Sequence, residues 1–325
     1  MAKTKLMTAQ EAIDRFVTDG DTVYTGYMLV PVALGHEIIR QKKSNLTVVG
    51  ASVPEMDALM YITGCANRVI SGYIGGAVGG TLVGQLMEKG QIQFEDYSNQ
   101  GLTMMFLAGA LGIPFIPTRA FLGTDFLTEK CTHHPGGWLK EKKSQPFECP
   151  FSGDKVVLLP ALKPDVAIMT AQRADEEGNV QAWGGLGDSK WALWASKKVV
   201  VSVEEIVPTE VIRSDPNRTI VPSFKVSAVV HEPFGAHPWP VTGYYDMDFN
   251  FRAEVLDIYR DQAICDRFLA EWVYGVKNRR EYLEHYVKKF GYRGLRDITA
   301  CPPIQPVGSV SYGYVPHLQV YGPGQ

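Results

Sequence analysis

Three stretches, "NLTVVGAS" (45–52), "PDVAIMTAQ" (164–172) and "VVVSVEEI" (199–206), carry apolar residues at consecutive positions without polar alternation. A strand with one face in water alternates apolar with polar, whereas a strand that does not alternate needs cover on both faces. "TVYTGYM" (22–28), "RVISGYIG" (68–75), "IQFED" (92–96), "IPFIP" (113–117), "KVVLLPA" (155–161) and "VSAVVHEPF" (226–234) also read as strands. Segments of helix length separate most of them, at about 9–18, 32–43, 54–62, 81–90, 98–112 and 188–198. Strand and helix in alternation predict an α/β fold with an open, mainly parallel sheet and helices on both faces.

Local signals support several boundaries. Thr8 and Glu11 are spaced as a capping box, and Ser98 is placed to cap the helix that follows. Two further helices, about 251–274 and 278–290, precede a Pro- and Gly-rich tail. No linker or repeat divides the chain, and 124–153 reads as a long excursion. The expectation is one domain over 1–325, with a helical C-terminal extension at about 251–325.

The formal net charge of −3 gives no general attraction to nucleic acid or an acidic membrane. Cys65, Cys131, Cys149, Cys265 and Cys301 are odd in number, scattered and without a CxxC spacing. That pattern favours reduced thiols in the cytoplasm, and no run reaches the ~20 apolar residues of a membrane span. The first residues, "MAKTKLMTAQEAIDRF", lack the apolar stretch of a signal peptide.

Familiar catalytic motifs are missing. There is no GK[ST] phosphate loop, and "GYIGGAVGG" (72–80) does not contain GxGxxG. "HEIIR" (36–40) ends in Arg where a zinc motif needs His, so His36 is expected on a helix surface. Cys131, His133 and His134 with Cys149 could bind a metal, but an ordinary polar loop is the preferred reading, and no metal is expected. No GxSxG elbow is found.

In an open parallel sheet, ligands sit beyond the carboxyl ends of the strands. Glu95 and Asp96 fall at such an end, placed either to position a substrate group or to pair with Arg119. Gly26, Gly75, Gly76 and Gly79 would let a ligand approach backbone N–H groups able to stabilise an oxyanion. Tyr73 could donate its hydroxyl there, and His237, before Pro238, is placed either to hydrogen-bond a carboxylate oxygen or to serve the structure. Glu204 and Glu205 are expected to make structural hydrogen bonds.

Four segments together resemble the A (alpha) subunit of glutaconate CoA-transferase, in the class I CoA-transferase family. They are "EDYSNQGLTMMFLAGALGIPFIP" (95–117), "PDVAIMTAQRADEEGNVQAWGG" (164–185), "VVVSVEEIV" (199–207) and "VVHEPFGAHPWPVTGYYDMD" (229–248). The resemblance covers nearly the whole chain in consistent order. It implies a CoA-transferase / sugar-phosphate isomerase-like fold and an enzyme that moves coenzyme A from an acyl-CoA to a free carboxylic acid. It also implies a B (beta) subunit carrying a nucleophilic glutamate, in an α2β2 or larger hetero-oligomer. Coenzyme A enters as a substrate, and no bound cofactor is expected.

On that basis Glu95 and His237 are supporting catalytic candidates. Gly26, Tyr73, Gly75, Gly76, Ala77, Gly79 and Arg119 are the substrate-binding candidates. The sequence departs from the family at Thr25-Gly26-Tyr27, where Gly-Gly-Phe is common, and at Ala77, where the glutaconate enzyme has serine. Without a side-chain donor at 77, a bulkier or less polar acid than glutaconate is expected. Similar subunit pairs act as ring-opening acyl-CoA hydrolases or as decarboxylases, and "PTRAFLGTD" (117–125) resembles that branch as much as the transferases.

Overall fold

The structure, a computed structural model, describes residues 4–52, 55–73, 81–127 and 143–300. In chain order the strands are β1 (Thr22–Tyr24), β2 (Leu46–Gly50), β3 (Ala66–Ser71), β4 (Gln93–Asp96), β5 (Phe115–Thr118) and β6 (Gln145–Glu148). Then come β7 (Lys155–Pro160), β8 (Val166–Ala174), β9 (Val180–Gln181), β10 (Lys198–Ile206), β11 (Thr219–Val221) and β12 (Ala228–His231). Early helices are α1 (Ala9–Phe16), α2 (Val32–Arg40), α3 (Glu55–Ile62), α4 (Leu82–Glu88) and α5 (Asn99–Leu111). Later ones are α6 (Ser189–Ala195), α7 (Thr209–Ser214), α8 (Phe249–Glu254), α9 (Gln262–Phe268), α10 (Arg279–Phe290) and α11 (Tyr292–Ile298).

Strands β4, β3, β2, β1, β8, β10 and β12 lie side by side and parallel. The register sets Val23 between Val48 and Val166. Short β9 and β11 add antiparallel pairs at the far end of β8. All five residues of β2 are buried, as its unalternating sequence requires. Because successive side chains point to opposite faces, Val48 packs in one core and Val49 in the other. One face is covered by α1 to α4 and the C-terminal helices, through Ile13, Leu34, Ile38, Leu59, Val83 and Trp272. The other is covered by α5, α6 and β7, through Leu102, Met105, Phe106, Leu193, Val157 and Leu159.

Two expectations fail instructively. "IPFIP" and "KVVLLPA" are strands, but they form a separate antiparallel sheet, β5-β7-β6. Val157 and Leu159 are buried while Val156 and Leu158 are only half-buried, the mark of a sheet covered on one face. The helix expected at 251–274 is broken into α8, a tight turn at Leu256–Tyr259, α9 and a wide turn at Leu269–Val273. Asp261 accepts the Ile264 N–H at 2.9 Å and so starts a new helix inside the expected one. Among the described residues no helix is long and apolar enough to cross a membrane.

Candidate functional site

The carboxyl ends of β1, β2, β3 and β4 form one edge of the parallel sheet. Strand β1 stops at Tyr24 because the chain turns at Gly26, whose φ is +76°. A Cβ there would lie 2.6 Å from the Leu29 carbonyl oxygen, so only glycine fits. At the end of β3, a Cβ on Gly72 would collide with Asn99, the first residue of α5. Ser98 accepts the Gly101 N–H at 2.9 Å, which fixes the start of that helix beside β4. Tyr73 follows Gly72 and is 59% exposed.

Beneath this edge lies a buried polar cluster. Asp188 accepts from the Tyr24 hydroxyl at 2.8 Å and from the Ala51 N–H at 2.9 Å, joining the ends of β1 and β2. Tyr24 also meets Ser189 at 2.9 Å. Asp57, in the first turn of α3, accepts from the Thr25 hydroxyl at 2.7 Å. Burial pushes the Asp57 carboxyl well above the usual carboxylate range, against the opposing Thr25 hydrogen bond. Burial also raises Asp188, though its hydrogen bonds from Tyr24 and Ala51 oppose the shift.

The expected residues divide into groups. Gly26, Tyr73 and Glu95 stand at the ends of β1, β3 and β4. Glu95 is buried, and Lys143 donates to the carbonyl of its neighbour Asp96 while lying 4.4 Å from the Tyr97 ring centroid. Arg119 follows β5 and pairs with Asp154 at 2.7 Å, with both side chains well exposed. Phe121, two residues on, packs against Gly101 in the first turn of α5, which keeps this loop near the strand ends. Gly75, Gly76, Ala77 and Gly79 lie outside the described residues, as do Cys131, His133 and His134.

His237 is not at this edge. It is fully buried, with the Tyr282 hydroxyl at Nδ1 (3.0 Å) and Asp248 at Nε2 (3.0 Å). Burial brings His237 down to about 4, although Asp248 opposes the shift. A neutral ring explains both contacts, with Nδ1 accepting from Tyr282 and Nε2–H donating to Asp248. Burial alone would raise Asp248, but hydrogen bonds from His237, the Phe251 N–H and Tyr286 bring it down to about 2. Both ring nitrogens are therefore occupied in a core network under α10. His36, expected on a helix surface, is buried as well.

Glu204 makes the structural contacts expected of it. It accepts from the Phe234 N–H (2.7 Å), the Gly235 N–H (3.2 Å) and the Tyr245 hydroxyl (2.8 Å). Burial still pushes it up to about 7. A groove of about 640 Å³ runs between α1, α2 and the start of α10, but among the described residues none of the expected site residues lines it. Its charges are largely engaged already, with Arg40 on Glu37 and Arg279 on the Phe234 and His237 carbonyls.

Asp57 and Asp188 were not singled out from sequence. The available signal was an aspartate inside the otherwise apolar "MDALMYI" (56–62), but one acid in a short helix ordinarily marks a solvated face.

A mostly parallel sheet with helices on both faces and a helical C-terminal region has the architecture of the class I CoA-transferase subunits. Structural comparison agrees: glutaconate coenzyme A-transferase from Acidaminococcus fermentans superposes with a TM-score of 0.83 and 32% identity, over 92% of this chain and 96% of that one. The chain belongs to the coenzyme A transferase family, whose family description, "Coenzyme A transferase", matches residues 6–232. It is 35% identical to the A-type subunit of 3-oxoadipate CoA-transferase from Pseudomonas knackmussii, over 86% of this chain and 96% of that protein. The A-type subunit of glutaconate CoA-transferase from A. fermentans is 34% identical, over 92% and 96%. Identity falls to 25% with the cholesterol ring-cleaving hydrolase IpdA subunit of Rhodococcus jostii, over 80% and 87%. The chain is thus a CoA-transferase subunit of the A type.

Proposed function

We propose that this subunit completes an active site with a B subunit, whose glutamate carries CoA from an acyl-CoA to a free carboxylic acid. The supporting observation is end-to-end correspondence with two A-type transferase subunits, against weaker identity to a hydrolase subunit. Glu95, Gly26 and Tyr73 are the residues of this chain that we place nearest the substrate, and Gly75, Gly76, Ala77 and Gly79 remain substrate-binding candidates from the sequence. The Arg119–Asp154 pair is exposed and therefore worth little, so the guanidinium can exchange Asp154 for a substrate carboxylate. His237 acts through the fold rather than on the substrate.

The reaction conserves thioester: the donor acid leaves as CoA passes to the partner's glutamate, and the acceptor carboxylate then takes it. The complex would be assayed with acyl-CoA donors and either 3-oxoadipate or glutaconate as acceptor. CoA should appear on the acceptor with no rise in free thiol. Accumulation of free CoA would refute the transferase reading, whereas conversion of the acyl chain with its thioester intact and no CoA on the acceptor would support the ring-opening hydrolase reading.

A further inference from the structure

We propose that Asp57 is a positioning residue of the strand-end site, holding Thr25 and, through it, the Gly26 turn on which the thioester would lie. The inference rests on the strand-end reading above and assigns a role to a residue that reading leaves idle.

Asp57 is completely buried, and among the described residues only one of its carboxyl oxygens has a partner, the Thr25 hydroxyl. The other oxygen, Oδ1, meets no hydrogen-bond partner there. Tyr61 lies one turn further along the same face of α3, is buried, and has a hydroxyl likewise unpartnered among the described residues. An unsatisfied buried polar atom typically costs about 1–3 kcal/mol, so an apolar pair at these positions would make a more stable helix. The surrounding Met56, Ala58, Leu59 and Met60 are all apolar and buried. An exception of this kind calls for a reason outside packing.

The location supplies one. Helix α3 begins just beyond β2, whereas Thr25 is the first residue past β1, so the Thr25–Asp57 bond ties together two loops at the strand ends. From the other side the same turn is held by β8, where the Thr170 N–H donates to the Leu29 carbonyl at 3.2 Å. That carbonyl is the one a side chain at Gly26 would strike. Asp188 does a parallel task for Tyr24 and Ala51. Burial raises the Asp57 carboxyl well above the usual carboxylate range, which favours its protonated form. Oδ2 accepts from Thr25, and Oδ1 is left without a partner among the described residues. Tyr24 and Tyr61, the titratable neighbours that feel its charge, are themselves buried and neutral.

The test uses the complex formed with the B subunit, in four variants: Asp57→Leu, Asp57→Asn, Thr25→Val and the Thr25→Val/Asp57→Leu double. Asp57→Leu and Thr25→Val should each lower kcat by about tenfold to a hundredfold with little change in KM, as expected when a binding surface shifts by a fraction of an ångström. The double variant should be no worse than the poorer single one, because both remove the same contact. Asp57→Asn, which keeps an acceptor for Thr25 in a side chain of the same shape, should recover most of the turnover. Full turnover in Thr25→Val, additive losses, or an Asn variant as poor as the Leu variant would overturn the proposal. Thr25→Val exchanges only a hydroxyl for a methyl, so it stands in if Asp57→Leu does not fold. Infrared difference spectra of wild type against Asp57→Asn give a readout independent of turnover. A carboxylic-acid carbonyl band that persists above the pH at which an ordinary carboxyl loses it is expected, and its absence would refute the buried placement of Asp57 against Thr25 even if the complex proved not to be a transferase.

Discussion

Asp248 and Asp57 are both buried, yet Asp248 accepts from His237, Tyr286 and the Phe251 N–H while Asp57, among the described residues, accepts from Thr25 alone. Three hydrogen bonds to the charged form outweigh burial at Asp248, which stays ionised. One does not at Asp57, whose carboxyl is raised by burial well above the usual carboxylate range. Around Asp248 the helices α8 and α10 close over a network in which the imidazole nitrogens and the carboxylate have partners. Around Asp57, oxygen atoms are left without partners from the described residues beneath the strand ends. Of these two buried aspartates, the one that holds the core network is satisfied within it, and the one under the strand ends is not.

The largest effect should follow from breaking the satisfied region. His237→Ala removes one of the three hydrogen bonds to Asp248 and leaves a cavity in the core, and should cost about 3–5 kcal/mol of stability, read by denaturant unfolding. If stability held while turnover collapsed, His237 would belong to the site and the comparison would fail. A pH scan sharpens the same point. His237 is neutral in the fold, with its pKa down from 6.5 to about 4, whereas the unfolded chain protonates it between those values. Unfolding then takes up a proton, so stability should fall as pH drops from 6.5 to 4, by up to about 3 kcal/mol. Glu204, raised to about 7, pulls the other way, losing its contribution as pH rises through 7. The difference between wild type and His237→Gln therefore isolates the histidine, and parallel pH profiles would contradict its assignment.

At the strand ends the expected losses are kinetic. Glu95→Gln should lower turnover of the complex by about a hundredfold while assembly and melting temperature stay close to wild type. Unchanged turnover would remove Glu95 from the site. The smallest change is expected at Arg119→Ala. Its exposed pair with Asp154 should be worth less than about 1 kcal/mol in unfolding, whereas KM for the acceptor acid should rise if the guanidinium meets a carboxylate. An unaltered KM would leave Arg119 as a surface residue.

Much of the fold could be read from local pattern. "LTVVG" and "VVVSV" lack alternation because helices cover both faces of β2 and β10, and the Thr8–Glu11 capping box forms as spaced. The small sheet could not be placed the same way. Whether β7 joins the main sheet or pairs with β5 depends on contacts such as Pro160 with Phe115, which no short window contains. Gly26 was picked out from sequence for ligand approach to backbone N–H groups, and the structure shows there a turn whose backbone angle demands glycine. His237 was misplaced because its loop position says nothing about Tyr282, which is 45 residues away and caps its ring. Asp57 was passed over because an aspartate in a helix usually faces water, and only the packed structure shows that this one does not.

The central claim is that this chain supplies half of a shared site. The most direct measurement follows CoA transfer from a labelled acyl-CoA to a carboxylic acid, using the purified chain first by itself and then together with its B partner. Transfer should be absent for the chain alone and appear, without free thiol, when the second subunit is present. Complete conversion by the chain alone would contradict the account.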